Sequence, residues 1–156
     1  HAHAETYMGL VEFGVGLIPA GGGSKEMALR VSDSFKEGDV EFNSLQTAFM
    51  NIATAKVATS AHEALEMGYL RRNDTIGTNR AFHLAEAKAK AIELAEMGYS
   101  QPKQREDVKV LGKGALGTLK AGITGMLYGR FISEHDAKIA EKFAYVMTGG
   151  DLTSPQ

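Results

Sequence analysis

The sequence predicts an α/β chain that is mostly α-helical, with one or two short strands. Three observations support this class. Six segments combine helical spacing of apolar residues with strong helix formers, and most of them stop at or near a glycine. Residues 5–13 show the mixed, poorly periodic pattern of a short strand. The chain has 156 residues, of which 44% are hydrophobic and 23% charged, which suits a globular domain with a real core.

The predicted helices carry recognisable start and stop signals. Ser24 is a suitable N-cap for the first helix. Ser60 with Glu63, and Ser133 with Asp136, have the spacing of a capping box. The predicted helices, in order, span residues 24–35, 40–55, 60–67, 79–97, 112–128 and 133–147. Residues 108–111 are predicted to form a brief extended piece between the helix at 79–97 and the helix at 112–128.

Composition excludes several classes of function. The formal net charge of -2 provides no basic field, so nucleic acid is not expected as a partner. The absence of cysteine removes disulfide and thiol chemistry and fits a reducing cytoplasm. No apolar run reaches the roughly 18–20 residues of a membrane helix, and no secretory signal is visible. His1 and His3 are read as passive residues at a frayed end, so no metal site is predicted.

One carboxyl group, that of Glu12, lies in an apolar run that leads into a glycine-rich turn and a helix. The stretch 10–24 reads LVEFGVGLIPAGGGS. Burial disfavours the charged carboxylate, so an acid in an apolar pocket can both donate and accept a proton. Glycines let backbone N–H groups approach a ligand, and the first turn of a helix favours negative charge. The alternative is a glutamate on the solvent side of a strand, followed by an ordinary tight turn.

This stretch resembles the crotonase (enoyl-CoA hydratase/isomerase) superfamily motif P-E-x-x-x-G-x-x-P-G-x-G-G. The matching positions are Glu12, Gly16, Pro19, Gly22 and Gly23. Val11 departs from the family proline, and Ala20–Gly21 reverses the usual order of glycine and alanine. A second block, KVATSAHEALEMGYLRRND at residues 56–74, resembles the family stretch S-A-x-E-A-x-x-x-G-L-V.

The resemblance implies a crotonase-like fold, here a truncated C-terminal fragment. It points to the hydratase part of bacterial fusion proteins that join a 3-hydroxyacyl-CoA dehydrogenase to a crotonase domain. Residues 1–98 would be the C-terminal half of the crotonase-like domain, and residues 99–156 a helical C-terminal extension. The parent would be an enzyme of fatty-acid β-oxidation. The isolated fragment is expected to be inactive, because the first glutamate and the oxyanion-hole donors belong to motifs outside this chain.

The same resemblance assigns roles to residues and partners. Glu12 would be the second catalytic glutamate, which donates a proton to the α-carbon. The backbone N–H groups of Ala20 and Gly21 would be substrate-binding groups that steady the water. An acyl-CoA thioester is the expected substrate, no cofactor is expected in this segment, and NAD would bind an upstream dehydrogenase domain. The upstream half of the same protein and further copies of the chain are the expected partners. Two alternatives stay open: an enoyl-CoA isomerase that works with Glu12 alone, and a non-catalytic helical assembly module from Asn79 onward.

Overall fold

The structure is a computed structural model that describes residues 1–153. It consists of six α-helices, one 3-10 helix and two strands of two residues each within this range. In chain order the elements are β1 (Ala2–His3), the 3-10 helix (Glu12–Val15), α1 (Gly23–Ser34), α2 (Glu41–Ala53), α3 (Ala61–Glu66), β2 (Ile76–Gly77), α4 (His83–Glu96), α5 (Gly112–Tyr128) and α6 (Glu134–Thr148). The prediction of a mostly helical α/β chain is confirmed, whereas these elements do not establish a crotonase-like fold. Of the described helices, none has both the length and the apolar character that a membrane crossing needs.

The chain folds into two compact units that alternate along the sequence. The first unit contains residues 1–8 and 58–106, and the second contains residues 9–57 together with the chain from residue 107 onward. The division into residues 1–98 and 99–156 concerned the domains of a parent protein and stays a prediction. The compact units do not follow that boundary.

The first unit is organised around a small parallel sheet. Ala2 pairs with Ile76 and His3 with Gly77, so β1 and β2 run side by side. The backbone N–H of Ala61, the first residue of α3, donates to the carbonyl of Ala4 at 2.9 Å. Small and apolar side chains then fill the space around α3. The buried hydrophobic residues in α3 and close to it in the sequence are Ala58, Ala61, Ala64, Met67 and Tyr69.

The second unit has its core between α1, α2, α5 and α6. Helix α6 packs against each of the other three. Phe143 of α6 is completely buried, and its ring lies 5.5 Å from that of Phe13 and 5.4 Å from that of Phe49. The α6 stripe repeats at three- and four-residue spacing, which is why one face of this helix can be buried along its length. Its buried residues are Ala137, Ile139, Ala140, Phe143, Ala144, Met147 and Thr148.

The predicted strand at residues 5–13 is wrong. The chain turns instead, with Met8 forming only an isolated bridge to Ala58 and residues 12–15 forming a 3-10 helix. Gly16 closes this helix in the left-handed conformation at φ 75°. The burial of Phe13 in the second unit fixes this turn, and such a long-range contact is not visible in local periodicity.

Several predicted helix ends are corrected and others are confirmed. Ser24 is not the N-cap of α1: Gly22 occupies that position, and the Ser24 hydroxyl donates to the carbonyl of Pro19. Helix α4 begins at His83 rather than at residue 79, because the side chain of Asn79 accepts a hydrogen bond from the N–H of Ala81 and holds a turn there. The predicted extended piece at 108–111 forms no strand in the described structure.

Of the two predicted capping boxes, one is confirmed in full and the other in part. The capping box of Ser133 and Asp136 is confirmed, with both reciprocal hydrogen bonds present. Ser60 accepts a hydrogen bond from the N–H of Glu63, as a cap requires. The carboxylate of Glu63 accepts from the backbone N–H and the hydroxyl of Thr59, one residue earlier than the capping-box pattern predicted. Helix α5 spans the predicted residues 112–128.

Candidate functional site

Glu12 opens the 3-10 helix, where its neighbours hold the backbone firmly. Its carbonyl accepts a hydrogen bond from the N–H of Leu17 at 3.0 Å. The next side chain, Phe13, is buried in the core of the second unit and anchors the helix there. Glu12 itself therefore sits on a turn that is fixed from one side by core packing.

The carboxyl group of Glu12 is only partly shielded from solvent. The residue as a whole is half-buried, yet its Oε2 atom is out of contact with solvent and has no hydrogen-bond partner among the described residues. A buried polar atom without a partner is uncommon in a folded protein and calls for a physical reason. One such reason is that the group receives its hydrogen bond from a ligand. Glu12 is therefore the best candidate for chemistry in the second unit.

His135 fixes the end of the same turn, and the sequence analysis missed it. Its Nε2 lies 2.8 Å from the carbonyl oxygen of Gly16. Because a carbonyl can only accept, this ring nitrogen carries the proton and donates it. The contact spans 119 positions along the chain. No local motif signals it, because His135 reads in the sequence only as part of the cap of α6.

Ala20 and Gly21 lie in an exposed turn directly before α1. A side-chain carbon added at Gly21 would meet no atom within 4 Å, so the space around this backbone is open. Neither amide donates a hydrogen bond to the described part of the chain. Both residues precede Gly22, the N-cap of the 12-residue α1, so their N–H groups lie next to a helix end that favours an anionic or carbonyl oxygen. No hydrogen bond joins Glu12 to this turn in the described structure, so the roles of Glu12, Ala20 and Gly21 stay predictions.

Gly23 is required by close packing, which the motif alone does not explain. A side-chain carbon there would lie 2.6 Å from an atom of Leu10. The glycine therefore lets the start of α1 approach residue 10 closely, and it supports the position of the exposed turn.

A cavity of about 40 Å³ lies in the core of the second unit. Apolar side chains form most of its wall, among them Phe13, Phe49, Met50, Ile123 and Met126. A cavity of this size is small, and its lining is mainly apolar.

In the first unit, histidines that the sequence analysis read as passive are tied into a polar cluster. The two ring nitrogens of His1 lie 2.7 Å from the Thr75 hydroxyl and 3.1 Å from the Glu86 carboxylate. The His1 and His83 rings stack at 5.0 Å, and His3 meets His83 edge-on at 5.8 Å. The sequence signal for this cluster was the three-residue spacing of His83 and Glu86, which places both side chains on one side of α4. Even so, no group of three or more ligand residues in residues 1–153 has a geometry that could hold a metal ion.

This chain is similar to part of a longer curated protein. No family model matches the chain, and no solved structure matches it. The chain is similar to a curated protein of Bacillus subtilis (strain 168) named "Probable 3-hydroxyacyl-CoA dehydrogenase", with 44% identity over 151 residues. That match covers 97% of this chain but only 19% of the relative's length.

This comparison corrects the function predicted from the sequence. The relative carries the name of a dehydrogenase and not of an enoyl-CoA hydratase, so the prediction of a hydratase fragment, with its isomerase alternative, is wrong. The crotonase part of the resemblance has no support, since no family model matches. The dehydrogenase part of the resemblance agrees with the name of this relative.

Proposed function

We propose that this chain is a segment of a longer enzyme that oxidises 3-hydroxyacyl-CoA thioesters. The observation that supports this proposal is the 44% identity to a protein of that name over 97% of the chain. Identity over that range includes both compact units, so it reflects a shared folded segment rather than one short motif. Because the chain spans 19% of the relative, the oxidation would be carried out by the whole polypeptide.

NAD is the cofactor expected for such an oxidation, and the described residues do not fit it. A dinucleotide site needs a parallel sheet whose strand leads through a G-x-G-x-x-G turn into a helix. The sheet described here has two strands of two residues, and neither leads into such a turn. We therefore assign no step of the oxidation to NAD in this segment.

The lack of cysteine keeps a reducing cytoplasm as the expected compartment.

The contribution proposed for this segment is contact with the acyl-CoA substrate. The buried Oε2 of Glu12 lacks a partner and can accept a hydrogen bond from a ligand. The free N–H groups of Ala20 and Gly21 can donate to a carbonyl or phosphate oxygen. Both kinds of group are complementary to a CoA thioester, which offers carbonyl and phosphate acceptors together with hydroxyl and amide donors.

The activity is tested on the longer polypeptide that carries this segment. It is purified, given 3-hydroxybutyryl-CoA and NAD, and NADH formation is followed by absorbance. We expect steady NADH formation that depends on both substrates. A well-folded preparation that produces no NADH from short- or long-chain 3-hydroxyacyl-CoA contradicts the proposed function.

The contact with acyl-CoA is tested by adding one negative charge at the exposed turn. Gly21→Asp places a carboxylate where an anionic ligand would approach. Gly117→Asp on α5 is a matched control, because an added side chain also meets no atom within 4 Å there. A charge repulsion of about 1 kcal/mol corresponds to roughly fivefold weaker binding.

The readout is the dissociation constant of acyl-CoA, measured by calorimetry. We expect it to rise at least about fivefold in Gly21→Asp and to stay unchanged in the control. An acidic residue near a helix N-terminus favours the helix, so stability is expected to move in the opposite direction to binding. Equal dissociation constants for the two variants would remove Ala20 and Gly21 from the ligand site.

A further inference from the structure

A hydroxyl, an imidazole and a carboxylate are hydrogen-bonded in series in the first unit. The Nδ1 of His1 lies 2.7 Å from the hydroxyl of Thr75, and its Nε2 lies 3.1 Å from the carboxylate of Glu86. The contacts span 74 and 85 positions along the chain, so only the fold brings these side chains together. We call these residues the Thr75–His1–Glu86 triad.

The register of the two strands explains why His1 and Thr75 meet. Ala2 pairs with Ile76 in the parallel strands β1 and β2, so the residues one position earlier are neighbours. The backbone N–H of Ala2 donates to the carbonyl of Thr75 at 2.9 Å and closes this end of the sheet. Backbone hydrogen bonds therefore place the two residues side by side.

Helix α4 holds the imidazole of His1 from the other side. The ring of His83 stacks on that of His1 at 5.0 Å, and Glu86, three residues further along the same helix, reaches its Nε2. Gly77 permits this approach, because a side-chain carbon there would overlap the Glu86 carboxylate and lie 3.0 Å from the Nε2. The His1 side chain is only 8% exposed, so the ring is fixed and largely shielded from water.

The two hydrogen bonds determine where the proton of the neutral His1 ring lies. A carboxylate can only accept, so Nε2 carries the proton and donates it to Glu86. Nδ1 is then the acceptor, and the hydroxyl of Thr75 donates to it. A hydroxyl nucleophile, a general base and an orienting carboxylate are connected in this order in Ser-His-Asp triads, with the two ring nitrogens exchanged.

The triad borders an open cleft of about 400 Å³. All three of its residues line the cleft, and the volume lies in the range of small-molecule sites. Thr78 lines the cleft as well, and its backbone N–H donates to no other group of residues 1–153. This N–H is therefore available to an oxygen that gains negative charge during a reaction.

The charges of the cleft favour an uncharged acyl group over a phosphate ester. Lys90 and Glu93 in its wall form an ion pair at 2.9 Å, so the lysine charge is balanced within the wall. Glu86 adds a negative charge beside the Thr75 hydroxyl, which would repel an anionic ligand.

We propose that the Thr75–His1–Glu86 triad hydrolyses an acyl thioester or ester, with Thr75 as the nucleophile. The Thr75 oxygen bonds to the acyl carbonyl carbon while its proton passes to the Nδ1 of His1. The bond from that carbon to sulfur or oxygen then breaks, and the leaving group takes the proton from Nδ1. Water, activated by the same nitrogen, attacks the acyl-threonine and releases a carboxylic acid. Glu86 is a positioning residue that stabilises the imidazolium.

The longer polypeptide that carries this segment is tested with p-nitrophenyl acetate, an ester, and with acetyl-CoA, a thioester. Nitrophenolate is followed by absorbance and free CoA by chromatography, and early quenching with mass spectrometry detects an acetyl group on Thr75. We expect hydrolysis of at least one of the two compounds and acetylation of Thr75. Hydrolysis of neither by a folded preparation overturns the proposal. The reaction uses no NAD, so its outcome is independent of the proposed oxidation.

Matched variants identify the groups that react. Thr75→Val removes the hydroxyl at similar size, and Thr118→Val is its control because Thr118 is exposed on α5. His1→Gln removes the base, and His62→Gln changes an exposed histidine of α3. We expect Thr75→Val and His1→Gln to lower the rate at least about 100-fold and both controls to leave it unchanged. A rate that Thr75→Val leaves unchanged overturns the proposal.

Two further variants separate chemistry from folding. Thr75→Ser keeps a hydroxyl and should retain hydrolysis, whereas equal inactivity of the serine and valine variants contradicts the nucleophile. Glu86→Gln still accepts a hydrogen bond from His1 but carries no charge. We expect its kcat to fall at least about tenfold with an unchanged KM, because the charge acts once the ring is protonated. An unchanged kcat contradicts the role of Glu86.

Discussion

Phe143 is the side chain on which the core of the second unit depends most directly. It is completely buried, and its ring lies at 64° to that of Phe13 and at 17° to that of Phe49. The two partners come from the 3-10 helix and from α2, so one ring on α6 joins three elements. Replacing Phe143 by alanine should therefore loosen both the helix packing and the turn that carries Glu12.

The expected magnitude follows from the volume removed and the two ring contacts. Phe→Ala in a core costs about 3–5 kcal/mol in the free energy of unfolding. Phe143→Leu keeps most of the apolar volume but loses both aromatic pairs, which together contribute roughly 1–3 kcal/mol. For a chain of about this size, the alanine variant should lower the melting temperature by roughly 6–20 °C.

Urea unfolding followed by circular dichroism measures these differences. Phe131→Ala is the control, because Phe131 is 81% exposed and its removal should change the free energy of unfolding by less than about 0.5 kcal/mol. We expect the order wild type, Phe143→Leu, Phe143→Ala from most to least stable. A loss below about 1 kcal/mol in Phe143→Ala would refute the assignment of this ring as the centre of the core.

The remaining predictions concern backbone and capping contacts of the second unit. Ser133→Ala should cost about 1 kcal/mol by thermal unfolding, since it removes the side-chain cap of α6; an unchanged melting temperature contradicts this. Hydrogen bonds from the hydroxyl and the backbone N–H of Ser133 lower the pKa of Asp136 below its ordinary 3.8. The stability from these bonds is fully present above that ordinary value and is lost as pH falls through the lowered pKa, so Asp136→Asn should flatten the acid limb of stability against pH. Gly16→Ala should destabilise the chain by about 1–2 kcal/mol, because φ is 75° there and the new methyl group would lie 3.3 Å from the His135 ring. Gly21→Ala, in open space, should be close to neutral, and equal losses in the two glycine variants would exclude the left-handed conformation as the cause.

Local signals placed most helices correctly, for reasons that are themselves local. The bounds of α5 and the capping box of α6 depend on residues within four positions of each other. Where a local pattern predicted the wrong structure, a contact with a distant part of the chain determined the observed one. The segment that was predicted to be a strand became a 3-10 helix because Phe13 is buried against Phe143, 130 residues further along the chain.

The candidate site divides in the same way. The sequence by itself determined that Glu12 stands in an apolar run before a glycine-rich stretch, because residue type and order are enough for that statement. The tertiary structure alone decided that one oxygen of this carboxyl is buried without a partner, and that His135 holds the end of the turn. It also decided that Leu84 and Ile92 of α4 are exposed to solvent. Periodicity shows that a helix has two different faces, but only packing determines which of them is covered.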